Sequence, residues 1–301
     1  LTGNIGNPIL QEKRVTKNTI FVIEASSYQL AYSKYFKSKF SIIINISPDH
    51  LERHKNIKNY IKTKARIFFA QNNSDFSYIN LENKYSRSIK KIFETKKLKP
   101  KLILVNKRNC NFLLKKITNK YFKSKGNIEN LAFAYEIAKK LKINDQIIVK
   151  AINKFKGLPH RQEIILSNKK LLCINDSKAT SFEASLQSLS SYNQIYWIVG
   201  GLPKHRDEFV LKNVKKKIIK AYIVGKNTNF FERQIKKDVI CKISKNIKKA
   251  IDNIYQDIKL DQSSRKTILL SPAAASYDQF SNFENRGVYF KNLIIKKFKK
   301  K

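Results

Sequence analysis

Several short polar clusters in this sequence hold residue types suited to phosphoryl and carboxylate chemistry. Glu24 closes the apolar run TIFVIE, and His50 follows the next such run in NISPDH. A carboxylate and an imidazole at neighbouring strand ends are partial ligands for a divalent cation that keeps water or phosphate oxygens in its other positions. Taken alone, Glu24 is more commonly a plain surface carboxylate. Further on, NDSKAT sets Asp176, Lys178 and Thr180 directly after LLCI, and GGLPK sets Lys204 after IYWIV. Two ammonium groups at strand ends suit a carboxylate or phosphate ligand; 52 lysines make chance placement a strong alternative, and what lifts these two above it is that each follows an apolar strand within a cluster of small polar residues. HLERH, from His50 to His54, offers two imidazoles four residues apart. The zinc-protease pattern needs Glu beside the first His, and Glu52 stands one place too far along, so zinc is not expected.

The elements that must position these residues follow from hydrophobic periodicity. Short β-branched runs alternate with longer amphipathic stretches: TIFVIE, FSIIINIS, a helix from Ile57 to about Ala70, SYINL, KLILV, then a helix in NIENLAFAYEIAKKL. This is the strand–helix–strand rhythm of a parallel α/β sheet. Gly157 and Pro159 in GLPH punctuate it. The rhythm then restarts with one strand over IILSNKKLLCI, a helix from about Ser181, strands IYWIVG and AYIVG, a helix near Ile247, the strand TILLS and a last helix. Two α/β units are expected, residues 1–157 and 158–301. In open α/β sheets ligands sit outside the carboxyl ends of the strands, which is where the polar clusters fall.

Composition narrows the partners. The formal net charge is +40, yet only ten of the 62 basic residues are Arg. Arg is the side chain that clamps phosphates and guanine in a bidentate manner, so the lysine excess reads as compositional drift and no specific nucleic-acid partner is expected. The apolar runs are strand-length, far short of the roughly 20 residues a membrane span needs, so no membrane association is expected. Three widely spaced cysteines make neither a disulfide framework nor a zinc ribbon; a cytoplasmic location fits them.

In order, GNIG, EASSYQL, NISPDHLERH, KARI, GLPHR, NDSKAT, the Gly200–Gly201 pair and SPAAASYDQFSNFENRG match the motifs of the Mur ligases, and the chain resembles their D-glutamate-adding branch along essentially its whole length. The resemblance implies the remainder of a P-loop-type central ATPase domain over residues 1–157 and a Rossmann-like carboxyl-terminal domain over residues 158–301. It implies an ATP- and Mg²⁺-dependent ligase, acting as a monomer on UDP-N-acetylmuramoyl-L-alanine and D-glutamate in peptidoglycan synthesis. By the same resemblance, Glu24 and His50 are metal ligands, and Lys64 is carbamylated to hold a second ion. Asn4 contacts the UDP-sugar substrate. Asn127, Asn130, Arg161 and Asp176 bind ATP, and Lys178, Thr180, Lys204, Ser276, Tyr277 and Phe283 bind D-glutamate. Lys64, His50 and Lys178 then carry the catalysis. Gly126, Ser181 and Tyr277 depart from residues common in the family at those places.

No G-x-x-x-x-G-K-[ST] loop occurs in the 301 residues, and the chain has no methionine. Together these predict an amino-terminally truncated piece whose phosphate loop and UDP-binding domain lie upstream, and which is inactive alone. A non-catalytic binding module and a basic nucleic-acid-binding protein are the competing readings.

Overall fold

A computed structural model describes residues 2–3, 8–123, 125–204, 207–261 and 263–298. The chain divides into two compact units, Leu1–Phe122 with Asn127–Lys154, and Lys123–Gly126 with Phe155–Lys301.

In the first unit, β1 (Thr2–Gly3) pairs in parallel with β2 (Ile23–Glu24). Next come α1 (Ser27–Tyr32), β3 (Phe40–Ile43), α2 (Leu51–His54), α3 (Ile57–Ala65), β4 (Phe76–Asn80), α4 (Ser86–Thr95), β5 (Lys101–Val105), α5 (Asn111–Leu114), α6 (Lys125–Lys140) and α7 (Asp145–Lys154). β3, β4 and β5 form a parallel sheet in that order. Because side chains alternate along a strand, Ile79 packs with Ile61, Phe68 and Phe93 on one face, while Tyr78 packs with Leu113, Leu131 and Ile152 on the other. A sheet covered on both faces must be apolar throughout, which is why these strands read as unbroken runs. Of TIFVIE only the last two residues pair as a strand, and the helix begun at Ile57 ends at Ala65 and tightens into a 3₁₀ turn over Arg66–Phe68.

The second unit contains β6 (Glu163–Ser167), β7 (Leu171–Asn175), α8 (Phe182–Ser191), β8 (Ile195–Gly200), β9 (Ile218–Val224), α9 (Thr228–Ile235), β10 (Cys241–Lys245), α10 (Ile247–Leu260), β11 (Lys266–Leu270) and α11 (Phe283–Phe298). Its six strands run in the order β10-β9-β8-β11-β7-β6, all parallel except β6. Trp197 faces a core with Leu189, Phe231 and Ile235; its neighbours Tyr196 and Ile198 face the opposite core with Ile254, Phe290 and Ile294. Helices therefore cover both faces, as in doubly wound folds.

One expectation is corrected here. IILSNKKLLCI is not one strand but the β6–β7 hairpin. Asn168 makes the turn, its side-chain oxygen accepting from the backbone N–H groups of Lys170 and Leu171 at 2.9 and 2.8 Å; such side-chain mimicry of a backbone turn is a known property of Asn. The edge strand β10, CKISK, had no signal of its own, because most of its side chains face outward or sit half-buried. No helix among the described residues is long and apolar enough to cross a membrane.

Candidate functional site

In the first unit, the polar residues gather around α1, α2 and α3. EASSYQL turns from strand to helix at Ser26, which forms a capping box with Gln29, an arrangement that satisfies otherwise orphaned N–H groups. Glu24 stands immediately before this turn, half-buried, and its Oε2 is buried with no hydrogen-bond partner. An isolated buried carboxylate oxygen is costly unless something cationic meets it. His50 takes a left-handed conformation, φ 53°, at the start of α2. Its ring lies 3.6 Å from both an Asp49 and a Glu52 carboxylate oxygen and edge-on to Tyr28 at 5.2 Å.

Lys64 sits on the face of α3 that also carries Tyr60, with its ammonium 5.7 Å from the Tyr60 ring centre. Desolvation lowers the Lys64 pKa, and the carboxylates of Glu24 and Asp49 oppose that shift. Tyr60 is pushed up to about 12 by burial and by Asp49. Glu24, Asp49 and Lys64 thus share one electrostatic neighbourhood. His54 is buried instead of sharing an ion with His50; its Nε2 is 3.0 Å from Ser27 Oγ. Burial first, then His50, lowers its pKa. Sequence reasoning had set His54 beside His50 as a second imidazole, and it missed the parts of Ser27 and Tyr60, for which only their places within EASSYQL and along α3 gave a signal. No group of three His, Cys, Asp or Glu among the described residues is placed to hold an ion by itself. Asn4 lies outside the described residues. Asn127 and Asn130 lie on α6; the Asn127 amide donates to the Tyr121 carbonyl at 2.8 Å, and Asn130 is exposed.

In the second unit, three of the quoted motifs are drawn to the carboxyl ends of β7, β8 and β11. Leu202 and Ala275 exchange backbone hydrogen bonds at 2.9 and 3.0 Å, stitching GGLPK to SPAAAS. Arg286, 3% exposed, reaches from α11 into this cluster. It donates to Ser177 Oγ, to the Ser177 carbonyl and to the Ala274 carbonyl at 3.0, 2.8 and 3.0 Å. Ser177 Oγ in turn donates to the Phe283 carbonyl at 2.8 Å. NDSKAT, SPAAAS and NFENRG are therefore bound through one guanidinium. Sequence reasoning did not single out Arg286, although it stands in a quoted motif. Gly287 follows for a steric reason: a Cβ there would lie 2.2 Å from His160 Nδ1.

On this frame Lys178 is half-buried, with its ammonium 5.1 Å from the Phe283 ring centre. Ser276 is buried and Thr180 half-buried. Lys204 and Arg161 are exposed, and so is Tyr277, at 72%. Asp176 is 7% exposed. Its Oδ2 accepts from Ser188 and Ser271 at 2.6 and 3.0 Å, and its Oδ1 accepts from the Gln162 N–H at 3.2 Å. Burial outweighs these bonds and the charge of Arg161, pushing the carboxyl up to about 6 from the ordinary 3.8.

That gap corresponds to about 3 kcal/mol. The folded chain keeps the proton where the unfolded chain has released it, so this stabilisation is complete below about pH 4 and is lost as pH rises through about 6. Urea unfolding at stepped pH should show the stability advantage of wild type over Asp176→Asn shrinking by about that amount between pH 4 and 7. A difference that does not change with pH would contradict the assignment.

Comparison with known proteins supplies the family. Residues 4–148 match the Mur ligase middle domain. UDP-N-acetylmuramoylalanine–D-glutamate ligase of Rickettsia felis is 36% identical over 97% of this chain and 68% of its own length. The chain belongs to the Mur ligase family. With that membership comes the class of ATP-dependent ligases that form amide bonds. A Caulobacter vibrioides relative of the same Mur ligase name is 32% identical, with 97% of this chain and 66% of its own length matched. The chain thus spans about two thirds of the length of these relatives. Among solved structures, the Mur ligase fold is shared with the MurF ligase of Thermotoga maritima in complex with ADP, at TM-score 0.62 and 12% identity over 91% of this chain and 67% of that one.

Proposed function

We propose that this Mur ligase chain adds D-glutamate to UDP-N-acetylmuramoyl-L-alanine in the cytoplasm, using ATP and Mg²⁺. The observation that carries this reading is the joining of NDSKAT, SPAAAS and NFENRG at the strand ends by Arg286, with Lys178 held over Phe283. A preformed strand-end frame bearing a cation suits a dicarboxylate amino acid, and relatives that match almost the whole chain bear the corresponding name.

In the proposed reaction, the L-alanine carboxylate oxygen attacks the γ-phosphorus of ATP, and ADP departs. The D-glutamate nitrogen then attacks the acyl carbon of the resulting acyl phosphate; the carbon–oxygen bond to phosphate breaks, and the ammonium proton is given up. Lys178, Thr180, Lys204, Ser276, Tyr277 and Phe283 orient D-glutamate; Asn127, Asn130, Arg161 and Asp176 hold the nucleotide; Asn4 meets the UDP-sugar. The unpartnered Glu24 oxygen and the His50 ring are the donors fitted to a divalent cation, whose charge offsets that building on the phosphoryl oxygens. Desolvation of Lys64 favours its neutral amine, whose nitrogen can attack CO₂, lose a proton and become a carbamate, an anion available to a second cation.

The test is ADP release by the protein expressed from its natural reading frame, given UDP-N-acetylmuramoyl-L-alanine and one amino acid at a time. D-glutamate should support it, and L-glutamate, L-lysine and diaminopimelate should not. Turnover with one of the others instead, or D-glutamate binding without turnover, would overturn the proposal, the latter in favour of a non-catalytic module.

A further inference from the structure

The first unit has a cavity apart from the residues given roles above. It is a half-open hollow of about 840 Å³, lined by α3, α4 and the turns that follow or precede them, a size in the range of small-molecule sites. α3 presents two faces. Tyr60 and Lys64, four residues apart, turn toward the carboxylates of Glu24 and Asp49. Lys58 and Lys62, likewise four apart and so on one helix face, line the cavity together with Arg66.

The lining combines two chemistries. Ile57, Ile61, Phe69, Tyr85 and Ile92 supply apolar surface. Lys58, Lys62, Arg66, Lys91 and Lys96 supply positive charge, and no Asp or Glu is among the lining residues. Five of the thirteen lining residues are Lys or Arg, against 62 of the 301 in the chain. Two of the cations are held in place. The Lys96 ammonium lies 5.1 Å from the Phe69 ring centre. Arg66 Nη2 donates to the Ser33 carbonyl at 3.0 Å, while its buried Nε has no hydrogen-bond partner.

We propose that this cavity binds a small amphiphilic anion, an apolar body carrying one carboxylate, sulfonate or phosphate. The apolar body packs on Ile61, Ile92 and Phe69, and the anionic group is met by Lys62, Arg66 and Lys91. A concave site of this volume suits a dissolved small molecule, whereas a lipid bilayer would present a flat surface to it.

Anilinonaphthalene sulfonate, an apolar anion that fluoresces when shielded from water, is a direct probe in a titration of the whole chain. Saturable binding is expected. Ser88→Trp, which fills the cavity from an exposed position on α4, should remove it without lowering the melting temperature. Lys62→Glu with Lys91→Glu should weaken it by about tenfold. The control pair Lys150→Glu with Lys154→Glu changes net charge equally on the exposed side of α7 and should leave affinity within about twofold. Equal loss in the control pair would reduce the effect to net charge and overturn the site, as would unchanged binding by Ser88→Trp. If phosphatidylglycerol vesicles bind and lose that binding in the Lys62/Lys91 pair, while the dissolved probe is unaffected, the face is a membrane surface and the small-anion assignment fails.

Discussion

Replacing Lys64 with Ala is expected to lower kcat for D-glutamate ligation on the order of 10³-fold, the scale on which removal of one preorganised charge stabiliser is felt. The informative comparison is with two charged replacements. Arg keeps a cation at the position but cannot take up CO₂ as an amine does, so Lys64→Arg should lose as much as Lys64→Ala. Glu reverses the charge, and if the working form of Lys64 is an anion, Lys64→Glu should lose no more than Lys64→Arg. Steady-state kinetics at fixed bicarbonate would decide it. A Lys64→Arg enzyme retaining most of its activity would show that the native ammonium does the work, and the carbamate would have to be abandoned. Because Lys64 is half-buried, outside the buried core, its variants should keep near-native melting temperatures, which separates this outcome from misfolding.

Lys178→Ala should act on a different quantity. Truncating one partner of a close charge pair typically costs 2 kcal/mol or more, so KM for D-glutamate should rise by roughly 30- to 150-fold. KM for ATP and for the UDP-sugar should move little, since neither is assigned to Lys178. Phe283→Ala should raise the D-glutamate KM by less, because it removes the ring beside the ammonium but leaves the charge. Unchanged glutamate kinetics in Lys178→Ala would place the amino-acid carboxylates elsewhere.

The two-unit α/β plan was legible because strands buried on both faces must be written as continuous apolar runs, as SIII and YWIVG are. What hid in the same signal was the break inside IILSNKKLLCI, since an Asn-led turn between two apolar runs differs little from a polar stretch within one long strand. The edge strand β10 hid for the opposite reason: with lysines along it and only Ser244 buried, it has no apolar run to read.

The candidate site was legible in part. Asp176 and Lys178 announced themselves by following an apolar strand abruptly. The burial of Asp176 against Ser188 and Ser271 could not be read, because its partners come from 12 and 95 residues away. Arg286 was concealed by its type, as Arg is rarely buried; only the carbonyls of Ser177 and Ala274 around it explain why it is. Lys64 came from motif resemblance alone, since one lysine among 52 carries no local mark.

The placement of β11 bears on how the second unit can be made. This strand enters between β8 and β7, pairing with both, yet among the described strands it is the last to leave the ribosome. Until Lys266–Leu270 emerges, the sheet exists only as two separated halves with open inner edges, each a template for pairing with the wrong chain. Nascent chains arrested before Lys266 should therefore depend on chaperones, and a premature stop upstream of β11 should yield aggregate instead of a shortened folded protein.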